Sequence, residues 1–167
     1  MKSILRGKAH VFGDDINTDY IIAGKYTKTL DYDSFASHLF EDLDPEFTKK
    51  ISAGDFIVAG RNFGCGSSRE QAPIAIKYAG IGAVLAKSFS RIFFRNAINL
   101  GVPALVCDTE GIEPGDELEL DLSNQVVKNL RTGTSCCVEP LAPVMVGIIN
   151  EGGLVPYLKK YGDFKLL

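Results

Sequence analysis

The spacing of apolar residues changes its period several times along the chain, and each change marks an expected element. "SILRGKAHVFG" alternates apolar and polar positions and predicts an opening strand. "DDINTDYIIAGKYTKTLD" has no period. Its polar and glycine punctuation predicts a loop with exposed backbone, interrupted by an apolar insert at Tyr20, Ile21 and Ile22. Asp44-Pro45 then offers an N-cap and a first helical residue for a short helix over "PEFTKKIS". "FIVAG" is a brief continuous apolar run of the kind that fills a buried strand.

In "APIAIKYAG", Ala72, Ala75, Ile76 and Ala79 fall at i, i+3, i+4 and i+7, one helical face, and Gly80 is placed to end the helix. "IGAVLAKS" predicts a second buried strand. "FSRIFFRNAINLG" predicts a second helix with Phe89, Ile92, Phe93, Ala97 and Leu100 on one side, and "VPALVC" a further strand. This alternation of strand and helix predicts an α/β fold with a parallel core in three layers. Past Glu113-Pro114-Gly115-Asp116 the pattern changes: "ELELDL" and "QVVKNL" alternate around Ser123-Asn124 and predict an antiparallel hairpin with one solvated face. "APVMVGIINEGGLVPYLKKYG" reads as a helix broken at Gly152-Gly153, followed by a short terminal helical piece.

Composition narrows the function classes. With 167 residues, 46% apolar and 23% charged, the chain suits one compact domain over 1–167. Its 18 basic and 21 acidic residues leave a formal charge of −3 with no long run of one sign, which argues against nucleic acid as a partner. The opening residues are interrupted by Arg6, Lys8 and His10, so they form neither a signal-peptide core nor a membrane span, and a cytoplasmic location is expected. The four cysteines, Cys65, Cys107, Cys136 and Cys137, lack CxxC spacing and read as scattered reduced thiols with no metal site.

Candidate chemistry concentrates in "RNFGCGSSREQAPIAIKYAG". A Walker loop starting at Gly60 needs glycine at position 65 and then lysine, where the chain has Cys65 and Gly66. A dinucleotide fingerprint from Gly64 and Gly66 needs a small residue where Arg69 stands, and a nucleophile elbow needs glycine two residues either side of the serine, where Cys65 precedes Ser67 and Glu70 follows Ser68. What remains is a glycine-rich loop opening a helix, where unpaired N–H groups attract an anion and Arg69 offers a planar fork for a carboxylate. The competing reading is that Ser68 merely caps the helix in a box with Gln71, although Pro73 fits that register poorly. Ser67 has no obvious base: His10 lies in a strand and His38 in the amphipathic stretch "YDSFASHLF", so cationic help from Arg69 and the loop N–H groups is what the sequence provides. The acids Asp14, Asp15 and Asp19, with Lys25 and Lys28, match no calcium-loop spacing and read as loop residues.

"NFGCGSSREQAPIAIKYAGIGAVLAKSFSRIFFRNAINLG", with "FGDDINTDYIIAGKY" and "DPEFTKKISAGDFIVAG" before it, resembles the aconitase superfamily, specifically its free-standing small subunits from isopropylmalate dehydratase and homoaconitate-type hydro-lyases. The resemblance covers nearly the whole chain. It implies a swivelling β/β/α domain that closes over an active site housed mostly on a separate large subunit carrying a four-iron, four-sulfur cluster, with no cofactor bound by this chain. It makes Ser67 the catalytic base, Ser68 and Arg69 substrate-carboxylate contacts, and Thr18 and Asp19 supporting residues. Lys28, in Tyr26-Thr27-Lys28-Thr29, falls where the family's variable loop faces the variable end of the substrate. A cation there either pairs with a third carboxylate or extends into solvent.

The commonest owner of such a separate small chain interconverts 2-isopropylmalate and 3-isopropylmalate in leucine biosynthesis, and that reaction is the first expectation. The alternatives are a homoaconitase or a related hydro-lyase acting on dimethylmalate or citrate-like acids, and a non-catalytic dicarboxylate-binding module. The loops at 14–29 and 61–70 are expected to lie on the surface that meets the large subunit, and a homodimer of the isolated chain is possible.

Overall fold

The computed structural model describes residues 4–164. Its sheet has seven strands in the order β4-β3-β2-β1-β5-β6-β7: β1 (Ile4–Val11), β2 (Phe56–Ala59), β3 (Ala83–Ala86), β4 (Ala104–Val106), β5 (Glu117–Asp121), β6 (Val126–Asn129) and β7 (Ser135–Cys137). β1 to β4 run parallel to one another, while β5, β6 and β7 join antiparallel beyond β1. The expected opening strand is present, and Ser3, with which its pattern begins, lies outside the described residues. β7 carries no apolar alternation and was not expected from sequence.

The sheet curls until its two ends meet. Cys107, just after β4, pairs antiparallel with Val138, just after β7, and Glu139 N–H donates to the Val106 carbonyl at 2.8 Å. This closure explains the uninterrupted apolar runs. In β2, Phe56 and Val58 face a core enclosed by the curled sheet, together with Ala83, Leu85, Leu105, Leu118, Leu120 and Val127. Ile57 and Ala59 face the opposite way, into a second core under the helices. The result is helix layer, parallel half-sheet and antiparallel half-sheet, the β/β/α arrangement. β5 keeps the alternation of a strand with one wet face, Leu118 and Leu120 buried and Glu117 exposed.

The helix layer contains α4 (Gln71–Tyr78) and α5 (Arg91–Asn99), with α6 (Pro143–Asn150) and α7 (Leu154–Tyr161) packed on its far side. Gly80 ends α4 at φ +81°, and Gly152 and Gly153 separate α6 from α7, both as the sequence indicates. Along α5 the apolar face is rotated from expectation. Phe93 and Ala97 are buried but Ile92 is 47% exposed, while Ile98 is buried against Ile148, Ile149 and Tyr157. A terminal helix pair covering that flank draws Ile98 inward.

Two other expectations are corrected. The segment read as a loop with exposed backbone contains the short helix α1 (Thr18–Ile21) and a 3-10 turn, Gly24–Tyr26, and Ile21 and Ile22 are fully buried. The helix expected from Asp44 and Pro45 is α3 (Phe47–Lys50), one turn capped at Glu46. Asp44 caps the preceding turn instead, accepting from Glu46 N–H at 3.1 Å and binding Lys50 at 2.6 Å. Between these lies α2 (Tyr32–Ser37), started by the Asp31 carboxylate, which accepts from Ser34 N–H at 3.1 Å. No helix among the described residues is long and apolar enough to cross a membrane.

Candidate active site

Two loops leave the same end of neighbouring parallel strands and are laced together. One follows β1, the other β2. Asp14 accepts from Arg61 N–H at 2.7 Å, Asn62 Nδ2 donates to Asp15 at 2.8 Å, and Asp15 N–H donates to the Arg61 carbonyl at 2.8 Å. These acids therefore serve as loop ties. Further along, Gly64 N–H donates to Ile16 O at 2.7 Å and Thr18 N–H to Cys65 O at 2.9 Å, so the parallel pairing of β1 and β2 continues into the glycine-rich loop.

The second loop is anchored from below by Phe63, fully buried against Phe89 and Phe93 with ring centroids 6.0 and 5.1 Å away. Gly64 sits over this cluster at φ +78°, where a Cβ would stand 2.2 Å from Phe93 Cγ. Only glycine allows both that backbone and that contact. The chain beyond it emerges as the exposed Ser67 and Ser68.

Thr18, the first residue of α1, is buried beneath them. Its Oγ1 donates to the Ser67 carbonyl at 3.1 Å and lies 3.0 Å from Ser67 Oγ. A hydroxyl carries one proton, so while Thr18 donates to the carbonyl, the short contact requires Ser67 Oγ–H to donate to Thr18. α1 begins there because Asn17 caps it, accepting from Tyr20 N–H at 3.1 Å. Arg69 turns back over the same helix. Its Nη1 donates to the Ile22 carbonyl at 3.1 Å and is in direct contact with the Asp19 carboxylate. Its side chain is 25% exposed against 60% for Asp19. Gly24 leaves room for this, since a Cβ there would lie 3.2 Å from Arg69 Nη2.

The structure thus brings Thr18, Asp19, Ser67, Ser68 and Arg69 together. Lys28 is exposed beyond the 3-10 turn, and among the described residues it makes no hydrogen bond or ion pair with this group. Its loop is held by Tyr26 stacked on His38, 3.7 Å between centroids. His10 is occupied elsewhere, 2.8 Å from Asp55. Burial opposes the charge of Asp55, but the hydrogen bonds from His10 and from the N–H groups of Lys8 and Ser52 outweigh it and hold the carboxyl below its usual range. Neither histidine reaches Ser67 by any contact seen here.

The capping reading of Ser68 does not hold. α4 starts at Gln71 with Glu70 as its N-cap, and no side chain caps it. Pro73 then falls in the first turn, where its missing N–H deprives no intrahelical bond. Without a side-chain cap, the start of α4 two residues after Arg69 is a favourable surrounding for negative charge. Sequence reasoning missed the anchor of Arg69 on the Ile22 carbonyl and the close approach at Gly24. The cap at Asn17 was legible in "NTD", an Asx residue ahead of an apolar pair.

Comparison with known proteins places the chain among relatives that span nearly its whole length. The Aconitase C-terminal domain model matches residues 14–110. The chain is 55% identical to a 3-isopropylmalate dehydratase small subunit 2 of Archaeoglobus fulgidus, over 96% of this chain and 98% of that protein. It is 47% identical to a methanogen homoaconitase small subunit of Methanothermobacter thermautotrophicus, over 98% and 95% respectively. A crystal structure of 3-isopropylmalate dehydratase from Methanocaldococcus jannaschii superposes with a TM-score of 0.92 at 50% identity, covering 95% of both chains. Matched over residues 14–110 by that family model and by relatives spanning nearly its full length, the chain belongs to the aconitase C-terminal domain family.

Proposed function

We propose that this chain is the small subunit of a cytosolic 3-isopropylmalate dehydratase and supplies the proton-transfer half of its active site. The reading is carried by the exposed Ser67 hydroxyl held on Thr18 beside Arg69, in a chain so similar to named small subunits. Ser67 takes the proton from the substrate carbon next to a carboxylate. Arg69 is already fixed through Nη1, so its remaining N–H groups, with the Ser68 hydroxyl, receive that carboxylate. Ser67 takes the carbon's proton as an alkoxide, its own hydroxyl proton having passed to solvent at the exposed loop. The Thr18 hydroxyl turns from the Ser67 carbonyl and donates to that alkoxide, and the proton taken from carbon makes Ser67 a neutral hydroxyl that returns it on rehydration. The open end of α4 and Arg69 add positive potential. Proton and hydroxyl leave adjacent carbons to give an unsaturated diacid, and water returns in the opposite sense.

A four-iron, four-sulfur cluster on the large subunit would supply the Lewis acid for the departing hydroxyl. The residues of this chain do not fit such a cluster themselves. Among the described residues no group of three or more metal-binding side chains gathers, and Cys65 lies in the loop, Cys107 and Cys136 at the sheet seam, and Cys137 on the surface. The faces at 14–29 and 61–70, exposed around Ser67, are where that subunit docks.

The test is anaerobic reconstitution with the large subunit and a substrate panel read by absorbance of the unsaturated acid. Ser67→Ala is expected to abolish turnover and leave substrate binding largely intact. Binding without any turnover of the wild-type complex would instead make the chain a dicarboxylate-binding module. A homoaconitase reading is favoured by one observation, the exposed cation of Lys28 in the first loop, and preference for a tricarboxylate over isopropylmalate would establish it.

A further inference from the structure

Three of the four cysteines lie at the seam where the sheet closes, apart from the Ser67 cluster. Cys136 on β7 is paired with the buried Val127 and points inward, while its neighbour Cys137 is exposed. Cys107 pairs with Val138, two residues further along the same strand edge, so its side chain enters the same core on the diagonal from Cys136. Cys107 is 5% exposed and Cys136 is half-buried. A cavity of about 380 Å3 leads from the surface to Cys136, walled by Asp108, Glu110, Ile112, Asn129 and Thr132. The arrangement is an accessible thiol backed by a buried one.

We infer that Cys136 and Cys107 form a peroxide-reactive dithiol, in which Cys136 is attacked through this cavity and Cys107 resolves it into a disulfide across the sheet seam. Burial and separation on neighbouring strands give each sulfur a different task. The interaction between the two thiols draws Cys136 down from the usual thiol range, while that interaction and burial push Cys107 up. The Cys136 sulfur attacks one oxygen of hydrogen peroxide. The O–O bond breaks, hydroxide leaves with the thiol proton as water, and a sulfenic acid remains. The Cys107 sulfur then attacks the Cys136 sulfur, the S–O bond breaks, and the hydroxyl departs with the Cys107 proton as a second water. Two thiols are oxidised by two electrons and one peroxide is reduced. The carboxylates of Asp108 and Glu110 at the cavity mouth, only partly offset by Lys87 at 3.8 and 3.3 Å, favour an uncharged hydroperoxide over an anionic disulfide such as oxidised glutathione.

The test uses the full chain, reduced, freed of reductant and treated with equimolar hydrogen peroxide. Remaining thiols are alkylated before non-reducing digestion and mass spectrometry. The expected product is one intramolecular link between the Cys107 and Cys136 peptides, with Cys65 and Cys137 alkylated and the apparent Tm raised. In Cys107→Ser, Cys136 should accumulate as a sulfenic acid trapped by dimedone. Should that variant fail to fold, the linked peptide of the wild-type chain decides alone. A Cys136–Cys137 link, a Cys137-linked dimer, four unreacted thiols, or faster oxidation by oxidised glutathione than by peroxide would each overturn the inference.

Discussion

Replacing Thr18 by valine keeps the shape of a side chain that is 2% exposed and removes only its hydroxyl. Two contacts disappear, 3.1 Å to the Ser67 carbonyl and 3.0 Å to Ser67 Oγ. For folding the loss is small. The Ser67 carbonyl belongs to an exposed residue that water reaches, so one hydrogen bond is worth about 1 kcal/mol, or roughly 2–4 °C in Tm for a chain of this size. Under the proposed role of Ser67 the catalytic loss is larger, because the donor matters most when Ser67 is negative. Removing one preorganised donor from a developing oxyanion costs about 10²–10³ in kcat, and Arg69 and the open helix end place this case near the lower limit, about 10². The assay is steady-state kinetics of the reconstituted enzyme. kcat should fall about 100-fold with KM within about twofold, and Thr18→Ser should restore most of it. Combined with Ser67→Ala, Thr18→Val should add almost nothing, since the group it serves is already gone. A kcat within about threefold of wild type, or additive losses in the double variant, would refute the role given to Thr18.

Other consequences follow from single contacts. Gly64→Ala combines left-handed strain with a clash against Phe93 and should destabilise by about 2–5 kcal/mol, seen as a lower midpoint in urea at unchanged slope. Arg69→Lys leaves one ammonium to satisfy both Asp19 and the Ile22 carbonyl, with no planar edge for substrate, so KM should rise at least about tenfold while the Tm barely moves. Asp116 is held well below the usual carboxylate range by Arg131, by Glu113 N–H and by Asn129, despite its burial. A depressed folded-state pKa contributes stability above the unfolded value of about 4 and loses it as pH falls below that, so Asp116→Asn should flatten the fall of Tm in acid while lowering Tm at neutral pH.

Much of the fold was legible because the buried parallel strands announce themselves. "FIVAG" and "IGAVLAKS" are apolar without a break since both of their faces are covered, one by helices and one by the curled half of the sheet. What the sequence could not convey was the curling itself. β7 is a strand by position, recruited where Val138 meets Cys107, and "SCC" has no apolar period to reveal it. Ile92 and Ile98 exchanged places for a similar reason: helical spacing gives a face, but the direction of that face depends on α6 and α7, which arrive about fifty residues later.

The site divides along the same line. The open helix end and the Ser67-Ser68-Arg69 run were readable from glycine placement and donor chemistry. The partnership of Ser67 with Thr18 was not, because the two stand 49 residues apart and meet only when β1 and β2 pair in parallel and their loops continue that pairing. That dependence has a physical consequence. The distance between Ser67 and Thr18 is set by the register of β1 on β2 and by Phe63 wedged beneath the loop, and of these β2 and Phe63 are fully buried. The serine is consequently exposed to a partner while its hydrogen-bond geometry is fixed from inside this chain. Under the proposed function, docking of a large subunit has only to bring substrate to an already oriented hydroxyl.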